Sequence, residues 1–86
     1  MVALLPVGFG YLVAAKRVVA LHRADTAPTR RLIQEAAARG LLLDLTSGRR
    51  MQSVLVLDTG QVVPLAQAPA VVAEHLASQV TAPGPA

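Results

Sequence analysis

The apolar residues of this chain come in short blocks cut by glycine-bearing turns, and that spacing limits what it can fold into. Residues 2–7 and 12–21 are rich in Val, Leu and Ala and are separated by Gly8-Phe9-Gly10-Tyr11. Blocks of this length between turn residues read as strands, so the chain opens with a predicted hairpin. Alternation along the second strand puts Val13, Ala15, Arg17, Val19 and Leu21 on one face and Leu12, Ala14, Lys16, Val18 and Ala20 on the other. Lys16 and Arg17 are therefore expected to point in opposite directions. Residues 41–45 form a short apolar strand ended by Thr46-Ser47-Gly48-Arg49-Arg50. Residues 53–57 and 61–65 flank Asp58-Thr59-Gly60, which predicts a second hairpin.

Two windows carry helix signals instead. Asp25-Thr26-Ala27-Pro28 supplies a capping side chain and then a proline in the first turn, where its missing N–H costs nothing. Leu32, Ile33, Ala36 and Ala37 make an apolar stripe, the helix should reach Arg39, and Gly40 is placed as its left-handed stop. Arg30 and Arg31 sit at the positive end of this helix's dipole, an unfavourable place that an arriving anion would relieve. Gln67-Ala68-Pro69 opens a last helix whose Val72, His75 and Leu76 face the sheet. The expected fold class is α+β: a small, mostly antiparallel sheet with two helices in the order ββα-βββ-α. Residues 1–78 form one domain, and residues 79–86 are expected to be a flexible Pro/Ala-rich tail.

A chain of 86 residues without cysteine has neither disulfides nor thiolate metal sites to support it. Folding at this size buries only about 60–65% of the unfolded surface, so self-association that adds core is expected. The uncharged start is not expected to act as a signal peptide, because Lys16 and Arg17 follow the apolar stretch rather than precede it. Pro6, Gly8 and Gly10 also break it well short of the about 17–25 apolar residues that cross a bilayer. The expectation is a cytoplasmic chain with no membrane partner.

The net charge is +3, yet all eight basic residues lie in the first 50 positions and seven of them are arginine. The planar arginine fork holds phosphate through two hydrogen bonds at once, so a polyanion is the leading partner and a merely solvated basic surface the bland alternative. Ser47-Gly48-Arg49-Arg50 is the sharpest constellation: glycine lets backbone approach a phosphate while two forks reach different ways. With Phe9 and Tyr11 the only aromatic residues, the stacking platforms of single-strand binders are missing, and duplex DNA suits the inventory better. No catalytic residue, metal site or cofactor is expected. Ser47, Ser53 and Ser78 with His22 or His75 form no nucleophile motif, and Gly8-Phe9-Gly10 lacks the third glycine of a nucleotide loop. Asp25, Asp44 and Asp58 read as helix cap, strand end and hairpin turn.

Four segments follow one another with a spacing far more specific than any one of them. They are Gly8-Phe9-Gly10, then Val13-Ala14-Ala15-Lys16-Arg17-Val18-Val19, then Thr26-Ala27-Pro28-Thr29-Arg30-Arg31-Leu32-Ile33-Gln34-Glu35-Ala36, then Leu43-Asp44-Leu45-Thr46-Ser47-Gly48-Arg49-Arg50. From about Leu5 to Leu76 the sequence resembles the RemA family of extracellular matrix regulatory proteins. The resemblance implies a bacterial, nucleoid-associated transcription activator of biofilm-matrix operons, built as a homo-oligomeric ring of about seven or eight protomers. It also implies that double-stranded DNA is bound by Arg17, Arg49 and Arg50, with Pro28 as the family's helix-opening proline. Tyr11, Met51-Gln52 and Asp58-Thr59-Gly60-Gln61 depart from the family pattern, and Lys16 and Arg23 add charge where the family more often has none.

Lys16, Arg30 and Arg31 are secondary candidates, either for DNA or for the contacts between protomers. About three phosphates neutralised by one protomer would give a salt slope near −2.7, a weak grip that repetition around a ring multiplies. With few base-reading side chains, specificity is expected to come through A·T-rich flexibility as the duplex bends around the ring. The competing expectation is a ring-forming scaffold without nucleic acid, its arginines pairing with Asp25, Asp44 or Glu74 of neighbours. A phosphate-metabolite-binding enzyme subunit would need a pocket of convergent polar groups, and none is legible.

Overall fold

Leu4–Pro6 (β1) and Leu12–Ala14 (β2) pair antiparallel with Leu5 opposite Val13 in the computed structural model, which describes residues 3–80. Their turn closes with the Tyr11 N–H donating to the Gly8 carbonyl at 3.0 Å, and its central residues Phe9 and Gly10 have φ of 55° and 82°. Two left-handed central residues make a type I′ turn, whose twist matches that of a hairpin.

The expected second strand does not run on to residue 21. It stops at Ala14, turns through a 3-10 segment at Ala15–Arg17, and resumes as Val18–Arg23 (β3) in a different sheet. A strand that changes sheets needs a corner, and Ala15 supplies it. Its small side chain is buried and its N–H donates to the Ala3 carbonyl at 3.0 Å. The expectation that Lys16 and Arg17 point to opposite strand faces is thereby corrected: both sit on the corner, and both are exposed.

Helix Ala27–Ala38 (α1) begins where the sequence predicts, but with a different cap. The Thr26 hydroxyl accepts from the Thr29 N–H at 3.3 Å and donates to the Thr29 hydroxyl at 2.8 Å, while Asp25 turns away to meet Arg23. Pro28 lies in the first turn, and Gly40, at φ 71°, ends the helix just past the Arg39 cap.

Ser53–Leu57 (β4) lies between β3 and Val62–Leu65 (β5), antiparallel to both. Residues 41–45 run parallel along the outer edge of β5. The Val62 N–H donates to the Leu41 carbonyl at 2.9 Å, and the Leu43 and Leu45 N–H groups donate to the Val62 and Pro64 carbonyls at 2.9 and 3.1 Å. The rung that Pro64 should donate is missing because proline has no N–H, so this predicted strand reduces to one bridge, Leu42 to Val62. Element order and class are otherwise those read from the sequence.

Alternation along β4 and β5 builds two cores. Leu55, Val63 and Leu65 face one way, onto Leu5, Val7 and Ala15 of the hairpin side and Val72 of helix Pro69–Val80 (α2). Val54 and Val62 face the other way, onto Leu32, Ile33 and Ala36 of α1. Each fully buried leucine contributes about 2–3 kcal/mol relative to exposure. Leu76 packs on the first core and His75 is half-buried beside it, as the α2 pattern predicts. The part of the expected tail beyond Val80 lies outside the described residues, as do Met1 and Val2.

Candidate nucleic-acid interface

The loop that carries Arg49 and Arg50 is built by its own side chains. The Asp44 carboxylate accepts from the Thr46 N–H at 2.9 Å and from the Thr46 hydroxyl at 2.7 Å, fixing the chain as it leaves the edge of β5. Asp44 is thus the anchor of the loop as well as the end of the edge segment. The Arg49 N–H then donates to the Thr46 carbonyl at 3.0 Å across Ser47 and Gly48, whose φ values are 53° and 77°. This is a second type I′ turn. Gly48 takes the left-handed conformation at no steric cost, and Ser47 is a tolerable first central residue.

The two I′ turns meet. The Arg49 guanidinium carbon lies 5.5 Å from the centroid of the Phe9 ring, within cation–π range. Phe9 is half-exposed and is a bulky residue held at positive φ, a backbone state that costs about 1–2 kcal/mol for a residue with a Cβ. Hydrophobic burial does not account for that cost at so open a position; contact with Arg49 is the interaction the turn provides.

Arg50, next along, is exposed and has a different setting. With Met51 and Gln52 it lines an open cavity of about 440 Å³ whose other walls include Arg23, Asp25 and Pro69. Arg23 comes there through the β3–β4 register, which sets it opposite Ser53. It is locked to Asp25 by two hydrogen bonds, Nε to Oδ1 at 3.2 Å and Nη2 to Oδ2 at 2.9 Å. That hydrogen bonding, then the Arg23 charge itself, holds the Asp25 carboxyl below its ordinary pKa, and the charge of Arg30 adds in the same direction. Arg30 on α1 is therefore within electrostatic reach of this group, whereas Arg31 is simply exposed on the helix.

Arg17 stands elsewhere. Its Nη1 meets Asp58 Oδ2 at 3.3 Å, and the Asp58 N–H donates to the Arg17 carbonyl at 2.7 Å. Asp58 follows the far end of β4, so the length of that strand, about 13–17 Å at ~3.3 Å per residue, separates Arg17 from the Arg50 end. Lys16 shares the corner with Arg17. The expected arginines thus divide into Arg49 and Arg50 at one end of the sheet and Arg17 with Lys16 at the other. Among the described residues Arg49 and Arg50 form no ion pair, while Arg17 has one.

Sequence reasoning missed Arg23 and Phe9 as members of this surface. The signal for Arg23 was strand length: ending the strand at residue 21 left Arg23 outside the sheet, whereas two more residues bring it into register with Ser53. Phe9 carried only the signal of an aromatic residue where an I′ turn prefers Asn, Asp or Gly. No group of three His, Asp or Glu side chains among the described residues is placed to hold a metal ion. No helix among them is long and apolar enough to cross a membrane.

Comparison with known proteins supplies the family. Residues 4–76 match the RemA-like model, described as Extracellular matrix regulatory protein A-like. A "Putative regulatory protein" of Clostridium botulinum strain ATCC 19397 is 44% identical over 78 residues, 91% of this chain and 86% of that protein. Similar proteins of the same description in Moorella thermoacetica and Heliobacterium modesticaldum are each 41% identical over 78 residues, again 91% of this chain and 86% of theirs. These descriptions point to regulation rather than to an enzyme. With the match spanning nearly the whole described fold, the arginine loop included, the chain belongs to the RemA-like family of regulatory proteins.

Proposed function

We propose that this chain is a duplex-DNA-binding transcription regulator that works as a homo-oligomeric ring in the cytoplasm, at the nucleoid. Arg49 and Arg50 are its main DNA contacts, Arg17 joins them from the other end of the sheet, and Lys16, Arg30 and Arg31 serve DNA or the neighbouring protomer. One observation carries the reading: two adjacent exposed arginines without carboxylate partners among the described residues, on a turn fixed by Asp44 and Thr46. Charges placed so are available to phosphate, and the ordered turn lowers the cost of holding them there.

Self-association is supported by apolar side chains left in solvent, Leu12 at 57% and Val19 at 67% exposure, on a domain too small for a large core. Repetition around a ring raises the effective concentration of each weak contact. Curving a duplex by 40–90° over 20–30 base pairs costs about 1–6 kcal/mol, least for flexible steps, so A·T-rich promoters are the preferred partners and matrix operons the targets. The scaffold reading without nucleic acid is weakened because Asp25 and Asp44, two of the carboxylates it needs between protomers, are engaged within the chain.

The test is Arg50→Ala. The variant should keep the wild-type mass by light scattering and lose the gel shift of an A·T-rich promoter fragment. A normal shift would show that the loop is not the contact, and a monodisperse wild-type monomer would remove the ring.

A further inference from the structure

We propose that the open cavity between Arg23 and Arg50 is a phosphate clamp, taking the sugar-phosphate backbone of duplex DNA as it leaves the Arg49–Arg50 loop. The proposal rests on the DNA-binding reading above and assigns Arg23 to it as a further contact.

The clamp is a product of register. Beyond the Arg23–Ser53 pair the ladder continues by one bond, from the Ala24 N–H to the Gln52 carbonyl at 3.3 Å, so the chain after Arg23 lies beside the chain after Arg50. Arg23 and Arg50 thereby line one cavity of about 440 Å³, room for a phosphate with its flanking sugars. Among the described residues Asp25 is the one carboxylate of that lining, against two arginines, which leaves it with an excess of positive charge. The charge of Arg30 acts on the same group from α1.

The Arg23–Asp25 pair does not close the site. A guanidinium has five N–H donors, and Asp25 takes the Nε proton and one Nη2 proton, leaving three for a ligand. Both side chains are about two-thirds exposed, where an ion pair adds little to stability. Its effect is on geometry: the carboxylate fixes the plane of the fork beside the cavity, while its own charge opposes an incoming phosphate. Arg23 therefore arrives oriented but partly neutralised, and the two roles of Asp25 can be separated. Asn at position 25 keeps an acceptor oxygen for the fork and removes the opposing charge. Thr26, not Asp25, caps α1, so the exchange leaves the helix start intact.

The experiment measures anisotropy of labelled A·T-rich and G·C-rich duplexes of about 30 base pairs across a KCl series, for wild type, Arg23→Gln, Asp25→Asn and Arg50→Ala. Losing one phosphate contact flattens the slope of log K against log[KCl] by about 0.9 per engaged protomer, or about eightfold in affinity at 0.1 M relative to 1 M salt. Arg23→Gln should show that loss equally on both duplexes, and Asp25→Asn should bind both more tightly than wild type. The opposite sign in Asp25→Asn decides the matter even if Arg23→Gln folds poorly. Wild-type affinity in both variants, with binding lost in Arg50→Ala, would overturn the clamp and leave the DNA reading standing. An Arg23→Gln loss confined to one duplex would mean base reading and would also overturn it. Wild type that binds neither duplex would remove the DNA reading and the clamp together.

Discussion

Replacing Phe9 by leucine isolates the contact that joins the two turns. Leucine keeps an apolar side chain and the strained backbone state, so the change removes mainly the aromatic face under Arg49. An exposed cation–π contact is worth about 0.5–1 kcal/mol, which corresponds to about a twofold to fivefold change in how often Arg49 occupies its observed position. Thermal stability should therefore fall by no more than about 1 kcal/mol, or ~4–8 °C for a domain of this size at fixed protomer concentration. DNA affinity should fall by about twofold to fivefold for one engaged loop, and by about the square of that where two loops engage the same duplex. The assay is anisotropy titration of a double-mutant cycle: wild type, Phe9→Leu, Arg49→Ala and the double variant. If Phe9 acts by positioning Arg49, the Phe9→Leu loss disappears in the Arg49→Ala background. An equal loss in both backgrounds would refute the positioning argument and show that the ring acts independently of Arg49. Phe9→Gly completes the set, because it relieves the positive-φ strain while removing the ring. It should therefore lose DNA affinity as Phe9→Leu does, with a smaller stability cost than truncating an unstrained phenylalanine.

The remaining predictions concern the other charges and the helix start. Asp58→Asn breaks an ion pair whose side chains are 55% and 42% exposed, so stability measured by urea unfolding should move by less than about 1 kcal/mol. The same change removes the carboxylate charge that partly neutralises Arg17 and should tighten duplex binding; unchanged affinity would remove Arg17 from the contact set. Thr26→Ala removes the hydroxyl that caps α1 and leaves the buried Thr29 hydroxyl without its donor. It should cost about 0.5–2 kcal/mol by thermal melting, without altering DNA affinity of the folded protein. Asp25 has a depressed pKa in the fold, so its pairing stabilises above the ordinary carboxylate value of 3.8 and that contribution is lost as pH falls through the lower folded value. The gap in stability between wild type and Asp25→Asn should accordingly narrow as pH drops below about 4 in stepwise unfolding titrations, and a gap that stays constant would contradict the pairing.

The turns were legible because their chemistry is local. Gly10, Gly40, Gly48 and Gly60 all have positive φ, and each stands where the sequence places a turn or a helix stop. Pro28 marks the first turn of α1 for an equally local reason, its absent N–H. The corner at Ala15 was not legible. Apart from Lys16 and Arg17, residues 12–21 are Val, Leu and Ala on both faces, so a period of two fits every frame, and two adjacent charges fit opposite faces of one strand as well as a corner. What fixes the corner is that one small side chain fits beneath the hairpin, which is a property of the packed core rather than of the run itself.

The same distinction divides the candidate surface. Arg49 and Arg50 announce themselves because a glycine and two forks sit together in sequence, whereas the neighbours that give each of them a setting are distant along the chain. Phe9 meets Arg49 across forty positions through two separately formed turns, and Arg23 reaches the Arg50 cavity only because β3 extends to pair Arg23 with Ser53. A slip of one residue in that register would turn the Arg23 side chain to the opposite sheet face and away from the cavity. Leu21 opposes the slip: it stands opposite Leu55 and packs on the first core, and the slip would carry it to the other face of the sheet. The electrostatics of the exposed end of the sheet are therefore set by apolar residues inside it, and a core substitution that loosened the β3–β4 register would weaken the arginine surface without touching a charge.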